Sequence, residues 1–306
     1  GIVYQKMELT KDIKDRHIIL MEDIVDTGNT VESLVRYFKE TQRPKSVKIA
    51  SLLLKPDVYK KEFKIKHRRR KGRLRMTKKI SFMNPKGGAG KTISSINFSY
   101  GLVNRGFKVL LIDTDPRGGV GTSLGIKNKN TIFEMIREYK ENFITDKNKY
   151  ITNKNGLDII NAGYELSKFT SYFENDAVGA VFVMKDIIEE HLFEYDYIVI
   201  DTEGTVNTLT SSVLFATQDV FIPTQASNLD LTGVRDILDA IRNTSKKNPE
   251  LSVKKVFLVR SKKNTNAYRD YKDSLENFFK EDQFSEISIR ENQDIINAVN
   301  NYQDIF

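Results

Sequence analysis

Asn84-Pro85-Lys86-Gly87-Gly88-Ala89-Gly90-Lys91-Thr92 is the stretch on which the reading of this chain turns. It follows a short apolar run at residues 80–84 and opens a helical pattern from residue 91 to about 104. A backbone that wraps closely round an anion needs glycines, because a Cβ would block the approach. The amides of such a loop and the N-terminus of the helix then point at the same negative charge. Lys91 is spaced to reach the outer phosphates of a nucleotide, and the Thr92 hydroxyl to ligate Mg²⁺. The first glycine of the common form of this loop is replaced by Pro85, and a second lysine, Lys86, follows it.

Outward from the loop, apolar runs at 108–113, 157–161, 195–201, 219–223 and 255–260 read as buried strands. Helical patterns at 181–193, 231–243 and 267–279 lie between them. This alternation predicts an α/β fold with a mainly parallel sheet covered on both faces. Asp113, Asp115 and Asp201 then fall at the carboxyl ends of parallel strands. That is where ligands bind in open α/β sheets, and it faces the glycine loop.

The loop, together with Val109-Leu110-Leu111-Ile112-Asp113-Thr114-Asp115-Pro116 and Tyr195-Asp196-Tyr197-Ile198-Val199-Ile200-Asp201, resembles the deviant Walker A ATPases, the ParA/MinD group of partition and positioning proteins. The resemblance runs from Met76 nearly to the C-terminus and implies a P-loop NTPase domain using ATP and Mg²⁺. It implies that Lys86, Gly87, Gly88, Ala89, Gly90, Lys91 and Thr92 hold the nucleotide. Lys86 would be the signature lysine that crosses an ATP-sandwich homodimer to the partner's nucleotide. Asp115 would help position the attacking water, so that Lys86, Lys91 and Asp115 form the catalytic set. Thr92 and Asp201 would hold Mg²⁺, with Asp113 in its neighbourhood. The family binds non-specific DNA as ATP-bound dimers and responds to a partition partner that stimulates hydrolysis. Arg260, Lys262, Lys263 and Arg269 are candidates for such a DNA surface through sequence-independent phosphate contacts. The segment at 221–227 is similar to that of short plasmid-type ParA proteins. The last residues, 292–306, carry no basic side chain, so the membrane helix of MinD-like members is not expected.

Three positions depart from the family pattern. Ile93 stands where a second hydroxyl residue is usual, Arg117 replaces a glutamine, and Asp201-Thr202-Glu203-Gly204 replaces Asp-x-Pro-Pro. They bear on the hydrolysis rate more than on the fold. A nucleotide-gated DNA-binding scaffold with negligible hydrolysis is therefore an alternative reading.

A second phosphate motif lies near the start: Ile18-Ile19-Leu20-Met21-Glu22-Asp23-Ile24-Val25-Asp26-Thr27-Gly28-Asn29-Thr30. Paired carboxylates can accept hydrogen bonds from a ribose diol, while loop amides and hydroxyls cradle a 5′-phosphate. With a helical pattern at 31–41 and a strand at 46–54, the block reads as one βαβ unit. It resembles the phosphoribosyl pyrophosphate motif of hypoxanthine phosphoribosyltransferases as far as about residue 65. That resemblance implies ribose contacts from Glu22 and Asp23, a general base at Asp26, and phosphate contacts from Thr27, Gly28, Asn29 and Thr30. Only a middle slice of such an enzyme is matched, so the segment is expected to be incomplete and its motif vestigial. Purine salvage by this segment is the competing function.

Of the 306 residues, 49 are Lys or Arg and 41 Asp or Glu, a net charge of +8. The excess is local: residues 60–75 hold ten basic side chains and one acidic. So dense a run of like charge reads as an exposed linker at 66–75, between a segment at 1–65 and an ATPase domain at 76–306. The absence of cysteine excludes disulfides, and three histidines make a His-rich metal site improbable. No apolar run is long enough to span a membrane, and the expected location is the cytoplasm, with association with the nucleoid left open.

Overall fold

The computed structural model describes residues 17–25, 46–54, 77–127, 130–142, 146–225, 228–261, 266–276, 279–280, 282–285 and 287–305. The chain divides into two compact units, Gly1–Leu74 and Arg75–Phe306. In the first, strands β1 (His17–Val25) and β2 (Ser46–Leu54) pair in parallel, with His17 opposite Ser46 and Val25 opposite Leu54. The helix expected at 31–41, Asp26 to Thr30 and the basic run lie outside the described residues.

The second unit is built on a sheet of β3 (Lys78–Phe82), β4 (Val109–Thr114), β5 (Ile151–Lys154), β6 (Leu157–Ile160), β7 (Tyr197–Thr202), β8 (Asp219–Thr224), β9 (Ser252–Ser261) and β10 (Ile289–Arg290). Among the described residues their order is β10-β9-β8-β3-β7-β4-β6-β5. Every neighbouring pair is parallel except β5 with β6. All six residues of β4 are buried, as expected of a strand covered on both faces.

Period-two alternation sends successive side chains of each strand to opposite faces. Leu110, Ile112, Ile198, Ile200, Val220 and Ile222 point into one core. There they meet α3 (Ile132–Asn142), α5 (Ala177–His191), α6 (Thr208–Ala216) and α7 (Asn228–Ser245) through Ile136, Met184, Val213 and Ile237. Ile80, Phe82, Val109, Leu111 and Val199 point into the other. That core is closed by α1 (Lys91–Val103) and α2 (Gly119–Leu124) through Ile96, Tyr100 and Leu124. Each fully buried aliphatic side chain contributes about 1.5–3 kcal/mol by leaving water. A central strand with two such faces is thus held in place from both sides.

The helices α4 (Phe169–Tyr172), α8 (Asn266–Glu276) and α9 (Gln293–Asn300), with short 3-10 turns at Lys147–Lys149 and Tyr164–Lys168, complete the element order among the described residues. The consequence for function lies in the sheet order. β3 runs between β7 and β8, and the carboxyl ends of β3, β4 and β7 open side by side.

Candidate functional site

The loop after β3 is fixed at its start by Asn84, which is buried. Its Nδ2 donates to Pro223 O at 2.8 Å, and its Oδ1 accepts from Lys86 N at 2.9 Å. Gly88 and Gly90 sit at φ 75° and 82°, a left-handed conformation that a side chain would strain. Gln225 Nε2 donates to Gly88 O at 2.7 Å. Gly90 caps α1, with no side-chain hydrogen bond at the cap and no acidic residue in the first turn. That end of the helix presents amides and a positive dipole to an incoming anion. Lys91 Nζ curls over the loop, donating to Asn84 O at 2.8 Å and Lys86 O at 3.2 Å. Burial depresses the Lys91 pKa, against the pull of the Asp201 and Asp115 carboxylates.

The neighbouring strands deliver the acids. Asp113 and Asp201 are opposite one another in the β4–β7 register, and both are fully buried. Thr92 Oγ1 donates to Asp201 Oδ2 at 2.7 Å, while Asp201 Oδ1 is buried without a hydrogen-bond partner. Both oxygens of Asp113 serve the turn after β4, Oδ1 accepting from Asp115 N at 2.9 Å and Oδ2 from Val120 N at 3.0 Å. Burial pushes the Asp201 carboxyl up to about 7 and the Asp113 carboxyl well above its ordinary range, where the charge of Asp201 raises it further. An orphaned buried carboxylate oxygen beside a threonine hydroxyl fits a divalent cation completed by phosphate oxygens and water. Among the described residues, no three His, Cys, Asp or Glu side chains are arranged to hold an ion unaided. The donor set therefore suits Mg²⁺ arriving with a nucleotide rather than a resident metal.

Asp115 is held by Arg117. The guanidinium donates from Nε to Oδ1 at 3.0 Å and from Nη2 to Oδ2 at 2.7 Å, and the Arg117 backbone N–H adds a bond to Oδ1 at 3.0 Å. Burial opposes ionisation of Asp115, but these bonds outweigh it and keep the carboxyl below its usual value.

The segment after β7 packs against the start of the glycine loop. A Cβ on Gly204 would come within 2.9 Å of Pro85 O, so the two loops pack backbone to backbone, and only glycine fits there. Asn207, which caps α6, donates from Nδ2 to Glu203 Oε1 at 2.5 Å and steadies that loop. Beside Gly90 lies a cavity of about 110 Å³ lined by Ile93, Val259, Arg260, Ile289 and Ile296. Ile93, which costs the loop a hydroxyl, forms part of this apolar wall.

The structure thus brings together Lys86, Lys91, Thr92, Asp113, Asp115 and Asp201 from three strand ends. Arg260, proposed from sequence for DNA, borders the cavity at φ 49°, and Arg269 is exposed on α8. Lys262 and Lys263 lie outside the described residues, as do Asp26, Thr27, Gly28, Asn29 and Thr30. Glu22 and Asp23 lie on β1, with Glu22 opposite Ser51. Sequence reasoning missed Val259, Ile289 and Ile296. They are apolar residues without a motif, brought to the loop by the positions of β9 and β10 in the sheet and by helix α9 that follows them.

Comparison with known proteins agrees with this geometry. Residues 77–253, more than half of the chain, match a family model described as AAA domain, and residues 2–81 match one described as phosphoribosyl transferase domain. The chromosome partitioning protein ParA of Myxococcus xanthus is 29% identical over 68% of this chain and 74% of its own length. The ParA of Caulobacter vibrioides is 31% identical over 59% of this chain and 68% of its own. A structure named as that of a plasmid partition protein from Borrelia burgdorferi, with AMPPNP bound, superposes with a TM-score of 0.61. It is 27% identical, and the match covers 74% of this chain and 90% of that one. The chain belongs to the AAA domain family as a ParA-like P-loop ATPase, with a phosphoribosyltransferase-like segment ahead of it.

Proposed function

We propose that this protein hydrolyses ATP with Mg²⁺, dimerises on ATP and acts in the partition of DNA. One observation carries the reading: Thr92 and Asp201 pair beneath the glycine loop, with the second Asp201 oxygen left unpartnered. The amides of residues 87–91 and the end of α1 bind the phosphates. Lys91, now spent on two loop carbonyls, turns onto the β- and γ-phosphates. Thr92 and Asp201 would hold Mg²⁺, and a bound ion there would supply charge neutralisation to the phosphate oxygens. Asp113 fixes the turn that carries Asp115, and Asp115 orients the water. The base rests in the cavity between Ile93 and Ile289.

Lys86 reaches the nucleotide of a second copy, and that is what couples ATP to dimerisation. The dimer binds non-specific DNA, with Arg260, Lys262, Lys263 and Arg269 as phosphate contacts, and a partition partner protein stimulates hydrolysis on the nucleoid. Light scattering with and without ATP tests this, on the parent and Lys86→Ala. Dimers should form with ATP in the parent alone; a variant that behaves like the parent would exclude the sandwich.

A second reading is favoured by the match of residues 2–81 to a phosphoribosyl transferase domain. We hold residues 1–65 to be a vestigial slice joined by the linker 66–75 to the ATPase at 76–306. Formation of IMP from hypoxanthine and phosphoribosyl pyrophosphate at an appreciable rate would overturn that view.

A further inference from the structure

We propose that Arg117 is a brake on ATP hydrolysis: its guanidinium occupies Asp115, and turnover waits on its release. The inference rests on the ATPase reading above. In the hydrolytic step the water oxygen bonds to the γ-phosphorus and the bond from phosphorus to the β–γ bridging oxygen breaks. The water proton passes to phosphate or solvent, leaving ADP and inorganic phosphate. Asp115 helps only if it can accept a hydrogen bond from that water.

An ionised carboxylate offers roughly four acceptor positions. In Asp115 three are filled by one neighbour, from Nε, Nη2 and the backbone N–H of Arg117. The bond geometry is bidentate and charge-assisted, the strongest form such a pair takes. A glutamine at position 117 would keep the backbone N–H bond but replace the two guanidinium bonds with a neutral amide, so the charged part of the brake is specific to the arginine.

The clamp is also built to open. Asp115 is nearly buried, with 9% of its side chain exposed, whereas the Arg117 side chain is 70% exposed. Arg117 lies two residues along the same turn, so it can swing outward without disturbing either core. Other anions compete for it: the carboxylate of Glu203 already acts on both Lys91 and Arg117. A bound triphosphate adds further negative charge beside it. Arg117 is thus a positioning residue that acts through Asp115.

Steady-state phosphate release by the full chain, with nucleotide affinity measured separately by a fluorescent ATP analogue, tests the brake. Arg117→Gln should raise kcat by about two- to fivefold, the range that an ion pair with an exposed, screened guanidinium can hold back. KM and nucleotide affinity should not change, and Arg117→Lys should lie between the variant and the parent. Unchanged or lower kcat in Arg117→Gln, or a loss of nucleotide affinity, overturns the brake and leaves the ATPase reading standing. Failure of the parent to bind ATP overturns both.

Discussion

Asp201 illustrates how a single side chain can be stable only with its ligand. Its carboxyl is pushed up to about 7 from an ordinary 3.8, chiefly by burial. Because the native pKa is raised, the native state keeps its proton where the unfolded chain has lost it. The contribution of this group to stability is intact below about pH 4 and is lost as pH rises through 7. Urea midpoints of the nucleotide-free protein should therefore show Asp201→Asn more stable than the parent at pH 8, by on the order of 2–4 kcal/mol. The gap should close toward pH 4. The same variant should lose Mg²⁺-dependent ATP hydrolysis. Lys91→Ala removes a charge-assisted contact worth about 1.5–3 kcal/mol, so ATP affinity by titration calorimetry should fall roughly ten- to hundredfold. Most of these residues were legible from sequence, because phosphate chemistry demands particular side chains at a fixed spacing. Arg117 was visible as a departure, but its grip on Asp115 was not, since the direction of a long side chain is decided by its surroundings.

At the scale of elements, the strands of the parallel sheet were readable as apolar runs, because burial on both faces leaves little room for polar residues. The β5–β6 hairpin was not read as such, though its signal was present. Asn155-Gly156 joins Lys154 to Leu157 with both φ values positive, 51° and 84°, the two-residue turn that Asn-Gly favours. β6 was read as a strand from its apolar run, but β5 has four residues, three of them polar, and gave no periodicity to announce it. Gly156→Ala should lower stability by about 1–2 kcal/mol, because a Cβ is strained at that φ. The added Cβ would also lie 3.2 Å from Val103 Cγ1. Thermal unfolding measures the loss. Helix α3 was missed for a related reason. Its start is a Thr131–Glu134 capping box, in which Thr131 N donates to Glu134 Oε2 at 3.0 Å. That cue is carried by two residues rather than by the run that follows.

For the whole molecule, every hydrogen-bond partner described here for the glycine loop comes from the unit Arg75–Phe306. Deleting residues 1–75 should leave ATP affinity unchanged in the same titration. Loss of DNA binding with that deletion, read from its salt dependence, would give the basic run at 60–75 a working role. No helix among the described residues is long and apolar enough to cross a membrane. The division between an amino-terminal slice and an ATPase was suggested by the change in charge and by two separate phosphate loops. The apolar wall beside Gly90 was not foreseeable, since it joins residues from opposite ends of the domain through the order of β9 and β10 and the placement of α9.

That sheet order has a consequence for how copies of the unit Arg75–Phe306 can meet. Both borders of the sheet are brief among the described residues: β10 has two residues and β5 has four. A border of that length is a poor template for adding another chain's strand, and runaway stacking through the backbone is thereby blunted. Association falls instead to surfaces made of side chains and loops. A contact of that kind can be made and broken with each ligand cycle, as a backbone ladder cannot.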